Sequence, residues 1–239
     1  MSREGRRTME KVLENTVRDS WFNWALNVYP LLHPALNNFY AKMSGKRLKY
    51  QRIYINNAVR DDLTWALTHI ESSTGVHLFK SFSWSPSLAD FVIYCDACPS
   101  GLGFWYPKSK DGYYAPTPVQ VPTNAIFYFE SLSVLSALVN VQHKAPRGSK
   151  ILIFTDNQIT VDRDMFRSLR CLPPYDRLLK TAVDILIKHD FSLRVLQVPG
   201  EQNAVADALS RVQFSVAFNL VPDLRFTTSN PPCTAGSVG

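Results

Sequence analysis

Between residues 90 and 211, short apolar runs of strand length alternate with longer stretches of helical periodicity. The expected strands are 91–95, 101–106, 151–154 and 191–198, with a further strand formed by 113–114 and 126–129 or by part of them. The expected helices are 130–141, 165–169, 178–187 and 203–209, the last of them capped by Asn203. Because the first strands follow one another and the later ones alternate with helices, the pattern predicts a mixed sheet covered by helices. The fold class that we expect is therefore α/β.

The chain on either side of this region has a different character. Residues 1–89 read as helical, and one of their segments begins near Asn56, which is a suitable N-cap residue. Residues 212–239 lose the periodicity and collect Pro, Thr, Ser and Gly, which predicts a flexible linker or tail. The predicted organisation is a helical segment over 1–89, a sheet domain over 90–211 and a tail over 212–239.

The net charge of +6 is distributed unevenly along the chain. Residues 1–87 hold 12 Lys and Arg against 7 Asp and Glu, whereas residues 88–211 hold 13 against 12. The densest basic stretch is 46–52, which contains Lys46, Arg47, Lys49, Tyr50 and Arg52. Interleaved basic and aromatic side chains suit a polyanion such as nucleic acid. A solubilising surface loop is the alternative interpretation of this stretch.

Composition excludes several classes of protein. No run of about 18 apolar residues occurs, and the first residues are polar, so we expect neither a transmembrane helix nor a secretory signal. Cys95 and Cys98 have the spacing of a redox or zinc pair, but the other two cysteines form no matching pair. We prefer to interpret Cys95 and Cys98 as small apolar residues that are buried in the core. We expect an intracellular protein, cytoplasmic or nuclear, that is not secreted and does not contact a membrane.

Four acidic residues occupy special positions in this pattern. Asp96 and Asp156 each directly follow an apolar strand. Glu130 stands at a strand-to-helix junction after the apolar run 126–129, and Asp207 lies on the last helix. Strand ends in an open sheet with a parallel core are where ligands usually bind. A single carboxylate after a strand is often only a turn or cap residue, so the interpretation depends on all four together.

Carboxylates that converge on one spot repel one another unless a cation neutralises them. Mg²⁺ prefers oxygen ligands, and two such ions about 4 Å apart can orient an attacking water and stabilise the leaving oxygen of a phosphodiester. If the four side chains meet, the expected chemistry is metal-dependent phosphodiester hydrolysis with two Mg²⁺ ions, for which Mn²⁺ can substitute.

Four sequence blocks carry a family resemblance. They are Tyr94-Cys-Asp-Ala97 with Gly101-Leu-Gly103, Phe129-Glu130, Phe154-Thr-Asp-Asn-Gln158, and the segment from Val198 to Arg211. Together they resemble the ribonuclease H domain of retrotransposon reverse transcriptases. The last block, with its Pro-Gly and Ala-Asp-Ala-Leu-Ser-Arg pattern, is typical of gypsy-like and DIRS-like elements. The resemblance covers residues 90–211 and implies a ribonuclease H-like fold, with a five-stranded mixed sheet and flanking helices.

The resemblance also implies an activity, which is cleavage of the RNA strand of RNA–DNA hybrids. The implied catalytic and metal-ligating residues are Asp96, Glu130, Asp156 and Asp207. Asn157 and Gln158 are implied contacts to the minor groove of the hybrid, where the 2′-hydroxyls are displayed. The helical front end resembles the thumb or connection region that precedes such domains, which would place its basic stretch against the duplex backbone. Other modules of the retroelement polyprotein are the implied partners.

The chain departs from this family in two respects. The loop 199–203 lacks the histidine that cellular ribonucleases H carry before the last helix, although Glu201 lies there. The polymerase palm is missing, because Asp61-Asp62 stands at the head of a helical stripe and is better explained by the helix dipole. We therefore expect no polymerase activity. Two alternatives remain open, namely an inactive or co-opted relic that only binds nucleic acid, and a structural spacer.

Overall fold

The chain divides into two compact units, residues 1–79 and residues 80–239. The computed structural model describes residues 26, 29–44, 55–73, 84–118, 126–157 and 173–232. Within these ranges, no helix combines the length and the apolar character needed to cross a bilayer.

The described part of the first unit is helical. A 3₁₀-helix, Pro30–Leu36, begins at a proline and leads into α1, Asn37–Met43. The longer helix α2, Asn57–Glu71, begins where the sequence predicts. Its start is stabilised because the Asn56 side chain accepts a hydrogen bond from the backbone N–H of Val59 at 3.2 Å.

Asp62 connects α2 to α1. Its side chain is buried, and its Oδ2 accepts hydrogen bonds from the backbone N–H and the side-chain amide of Asn38, at 3.3 and 3.0 Å. The first turn of α2 contains no acidic residue. The interpretation of Asp61-Asp62 as helix-dipole residues is therefore wrong for Asp62, whose carboxylate links α2 to α1.

The second unit contains a six-stranded mixed sheet. Its strands are β1 (Phe91–Cys98), β2 (Gly101–Tyr106), β3 (Asp111–Pro116), β4 (Lys150–Thr155), β5 (Ser192–Gln197) and β6 (Arg225–Thr228). Among the described residues of this unit, the helices are α3 (Ile126–Val141), α4 (Pro173–His189), α5 (Ala204–Ser210) and α6 (Phe214–Leu220), and short 3₁₀-helices lie at Pro86–Leu88 and Gly200–Asn203.

The strand order is β5-β4-β1-β2-β3-β6. Strand β1 is parallel to β4, which is parallel to β5, whereas β1–β2 and β2–β3 are antiparallel. Helices α3 and α5 both pack on β1 and β2, and α4 packs on α3. This mixed sheet with flanking helices confirms the expected α/β class, with six strands in place of the expected five.

The sixth strand lies in the segment that we expected to be a flexible tail. β6 pairs in parallel with β3, and α6 precedes it. Leu224 and Ala217 of this segment are buried together with Leu209 of α5. The tail prediction over 212–239 is therefore corrected for 212–232, because its apolar residues complete a core that the preceding domain leaves open.

Two element boundaries also differ from the expectations. Helix α3 begins at Ile126, so residues 126–129 are its first turn and no part of a strand, and Glu130 lies inside the helix. An apolar run as short as 126–129 cannot be assigned to a helix or a strand by periodicity. Strand β1 continues to Cys98, so Asp96 lies within the strand and does not follow it.

Gly101 and Gly103 allow α5 to lie directly against β2. A Cβ atom at Gly103 would be 2.5 Å from the carbonyl oxygen of Ala206 and 2.5 Å from the amide nitrogen of Ser210. A Cβ atom at Gly101 would collide with the carbonyl oxygen of Ser210. Since these neighbours are backbone atoms that cannot rotate away, only glycine permits this contact.

We predict that Gly103→Ala destabilises the second unit by about 1–3 kcal/mol or more, because α5 must move away from β2. Urea denaturation measures the loss. Gly112→Ala is the matched control, since its Cβ would meet the end of the Leu209 side chain at 3.1 Å, which can shift. Equal stability of the Gly103→Ala variant and the wild type would contradict the described packing.

We predict that Leu224→Ala lowers the free energy of unfolding by about 2–5 kcal/mol, because Leu224 is 3% exposed and leaves a cavity. Leu220→Ala in the same segment is the control, since Leu220 is 49% exposed and its loss should change stability by less than about 0.5 kcal/mol. Thermal or urea unfolding distinguishes the two variants. A small effect of both would restore the interpretation of this segment as a tail.

Candidate metal centre

Three carboxylates from three different elements meet at one end of the sheet. Asp96 lies in β1, Asp156 directly follows β4 as the sequence predicts, and Glu130 lies on α3. One oxygen from each carboxylate lies within 4.8 Å of the others. Because Tyr94 of β1 pairs with Phe154 of β4 in parallel register, the residues two positions further along, Asp96 and Asp156, come side by side.

Ser133 fixes the helix that presents Glu130. Its hydroxyl donates to the Asp96 carbonyl oxygen at 2.9 Å and lies 3.3 Å from the Gly103 carbonyl oxygen. Residues three apart share a helix face, so this anchor turns Glu130 toward β1. Sequence reasoning missed Ser133, because its partner Asp96 lies 37 positions away along the chain.

Asp207 borders this group and is not one of the three carboxylates within that distance. It is half-buried on α5, and its Oδ1 accepts a hydrogen bond from Arg211 Nε at 2.6 Å. Its charge nevertheless raises the pKa of Asp96. Of the four predicted acidic residues, the structure brings Asp96, Glu130 and Asp156 together. The fourth, Asp207, forms an ion pair with the Arg211 side chain, one helical turn away.

The position of α5 depends on Asn203 in a way that differs from the expectation. Asn203 occupies the N-cap position, but its side chain makes no cap hydrogen bond. Its amide instead donates to the Cys95 carbonyl oxygen at 3.0 Å, where both groups are buried. The predicted capping role is therefore wrong, because the amide joins the helix start to β1.

Burial dominates the electrostatics of the site. Burial, reinforced by the charges of Asp96 and Asp156, raises the pKa of Glu130 from 4.5 to about 9. Burial also raises the pKa of Asp96 from 3.8 to about 7, where the Ser210 hydrogen bond opposes the shift and the charges of Asp156 and Asp207 add to it. Glu130 therefore holds a proton near neutral pH, and Asp96 is about half protonated there.

The donor set suits a divalent cation that prefers oxygen ligands. Three carboxylate oxygens are within reach of one ion, and Asp156 is partly exposed, which leaves an approach from solvent. Glu130 Oε2 is buried without a hydrogen-bond partner among the described residues. Such an atom lacks the compensation that a buried polar group requires, and a bound cation would supply it.

Most predicted nucleic-acid contacts lie outside the described residues. These are Gln158, Lys46, Arg47, Lys49 and Arg52. Asn157 is half-buried beside Asp156, and its backbone N–H donates to the Thr155 hydroxyl at 3.3 Å. Its position next to the carboxylates is compatible with the predicted contact to a hybrid.

Both cysteines of the Cys-x-x-Cys pair are buried free thiols, as the preferred interpretation expects. The Cys98 thiol donates to the carbonyl oxygen of Ser210 at 3.2 Å. Burial and the negative charges of Glu130 and Asp96 raise the pKa of Cys95. A raised pKa disfavours the thiolate that redox or zinc chemistry needs.

Comparison with known proteins shows a structural likeness. No family model matches the chain, and no curated protein matches it. The chain is similar to the crystal structure of LC11-RNase H1 in complex with an RNA/DNA hybrid, with 18% sequence identity and a TM-score of 0.42. The alignment covers 50% of this chain and 93% of that chain.

We predict that Glu130→Gln changes the pH dependence of stability in metal-free protein. Because the folded pKa of Glu130 is raised to about 9 from 4.5, its contribution to stability is fully present below 4.5 and is lost as the pH rises toward 9. Glutamine mimics the protonated side chain at every pH. The variant should therefore gain stability over the wild type as the pH rises, measured by urea denaturation in EDTA.

The exposed carboxylate of Glu201 provides the control for this experiment. Glu201→Gln removes one negative charge from the same unit without removing a buried one. A stability difference between Glu130→Gln and the wild type that stays constant with pH would contradict the described burial of Glu130.

Proposed function

We propose that this chain is a metal-dependent endonuclease that hydrolyses the RNA strand of RNA–DNA hybrids. The observation that carries the proposal is the meeting of Asp96, Glu130 and Asp156 within 4.8 Å, with two of them buried. Buried like charges without neutralisation are strongly unfavourable. Clusters of this kind occur where a cation is bound or where protons are exchanged.

The three carboxylates would hold the divalent cations, for which we propose Mg²⁺, with Asp207 as a further ligand. Bound Mg²⁺ supplies activation of water and stabilisation of negative charge on phosphate oxygens. Asp96 and Glu130 would release their protons on becoming ligands, because a bound cation would offset the burial and the carboxylate repulsion that raise their pKa values. The strands and helices that carry these carboxylates keep their geometry before substrate arrives.

The substrate class follows from the sequence blocks around the site. Asn157, directly after Asp156, and the adjacent Gln158 are proposed to contact the minor groove of the hybrid, where 2′-hydroxyls distinguish RNA from DNA. The basic stretch 46–52 is proposed to contact phosphates. We further propose that the chain is part of a retroelement polyprotein, a context that the resemblance of residues 198–211 supports.

We predict that Asp96→Asn and Asp156→Asn each abolish Mg²⁺-dependent cleavage of a labelled RNA–DNA hybrid. Each substitution removes a negative ligand while keeping the shape of the side chain. Asp223→Asn is the control, because its exposed carboxylate pairs with Lys110 on the surface and should leave cleavage unchanged. Duplex DNA of the same sequence should remain intact.

The outcomes separate the proposal from its alternative. A wild-type chain that cuts the hybrid no faster in Mg²⁺ than in EDTA would contradict the nuclease assignment. Salt-sensitive binding of the hybrid without turnover would instead support the relic that only binds nucleic acid, because phosphate contacts release counterions.

A further inference from the structure

The hydroxyl of Ser210 contacts the carboxylate site from α5. Ser210 is fully buried, and its Oγ donates a hydrogen bond to Asp96 Oδ2 at 2.6 Å. The same Oγ lies 2.9 Å from the carbonyl oxygen of Asp207. A serine hydroxyl has one proton, and the shorter distance is typical of a charge-assisted bond to a carboxylate. The Ser210 hydroxyl therefore donates its proton mainly to Asp96.

The backbone of Ser210 leaves this hydroxyl little freedom to move. Its carbonyl oxygen accepts a hydrogen bond from the Cys98 thiol at 3.2 Å, and its amide lies against Gly103. Cys98 and Gly103 belong to the two strands that carry and flank Asp96. The hydroxyl is thus held rigidly relative to the carboxylate that it contacts.

We propose that Ser210 is a positioning residue that orients Asp96 for a divalent cation and favours Mg²⁺ and Mn²⁺ over Ca²⁺. The hydrogen bond restricts rotation of the carboxylate and occupies a lone pair on one of its oxygens. Ca²⁺ often takes both oxygens of a carboxylate in flexible geometry, whereas Mg²⁺ requires a stricter arrangement. The inference rests on the cation site of the proposed function, but does not require cleavage.

Metal binding to the full chain tests this inference. We predict that Ser210→Ala weakens Mg²⁺ and Mn²⁺ binding by about 10- to 100-fold, as loss of a partner that orients a metal ligand typically does. Ca²⁺ binding should weaken less, so that the preference for Mg²⁺ over Ca²⁺ narrows. Calorimetric titration with each ion alone gives the affinities.

Ser136→Ala is the matched control. Ser136 is also a buried helical serine, and its hydroxyl donates to the backbone oxygen of Leu132 at 2.7 Å. Ser136→Ala removes a similar hydroxyl, one that donates to a backbone oxygen and not to a carboxylate. The metal affinities of this variant should therefore match those of the wild type. Ser210→Cys retains a weak donor of similar shape and should bind Mg²⁺ and Mn²⁺ with intermediate affinity. This second variant tests the inference even if Ser210→Ala does not fold.

A double-mutant cycle with Asp96→Asn separates positioning from a merely structural role. If Ser210 acts through Asp96, Ser210→Ala should weaken Mn²⁺ binding in the wild-type background and have no further effect in the Asp96→Asn background. Equal losses in both backgrounds, or unchanged affinities of Ser210→Ala, would overturn the inference.

The same titrations distinguish failure of this inference from failure of the proposed function. A wild-type chain that binds Mn²⁺ but does not cut the hybrid contradicts the proposed nuclease activity. The metal affinities of the variants still decide the role of Ser210 in that case. If the wild-type chain cuts the hybrid and Ser210→Ala binds the ions with unchanged affinity, only the inference about Ser210 is contradicted. A wild-type chain that binds none of these ions overturns both.

Discussion

The close approach of α5 to β2 is the constraint on which the candidate site depends. Gly101 and Gly103 remove the side chains that would separate the helix from the strand, so backbone meets backbone. The contact places Ser210 against Asp96 and brings Asp207 near enough to affect its pKa. Any larger residue in these two positions would move the helix, and with it one side of the carboxylate group, away from the sheet.

The electrostatic character of the site follows from where the fold places the acids. Burial is the largest cause of the raised pKa values of Asp96 and Glu130, ahead of the repulsion among the carboxylates. The same removal from water that opposes ionisation also strengthens attraction to a cation, because electrostatic interactions are stronger where water is excluded. The buried carboxylates could therefore hold a divalent ion at a position where their own ionisation is unfavourable.

The segment that follows α5 belongs to the folded second unit. β6 extends the sheet beyond β3, and the aromatic ring of Phe226 stacks on that of Phe214 at 4.3 Å between centroids. Together with Leu224, these residues cover the outer side of α5, whose inner side faces β2. The helix that completes the site is therefore supported from both sides, and the supporting residues lie outside the region that carries the family resemblance.

Local pattern alone determined the strands β1, β4 and β5, the helix α4 and the positions of Asp156 and Asp207, because periodicity and apolar runs are properties of neighbouring residues. Local pattern could not determine the first turn of α3, since the apolar run 126–129 is too short to show a period that separates helix from strand. Tertiary structure alone decided the partners of Asp96. Ser210 lies 114 positions away from Asp96 along the chain, and Ser133 lies 37 away. Such contacts have no local signature, because packing brings the side chains together only after the sheet and its helices have formed.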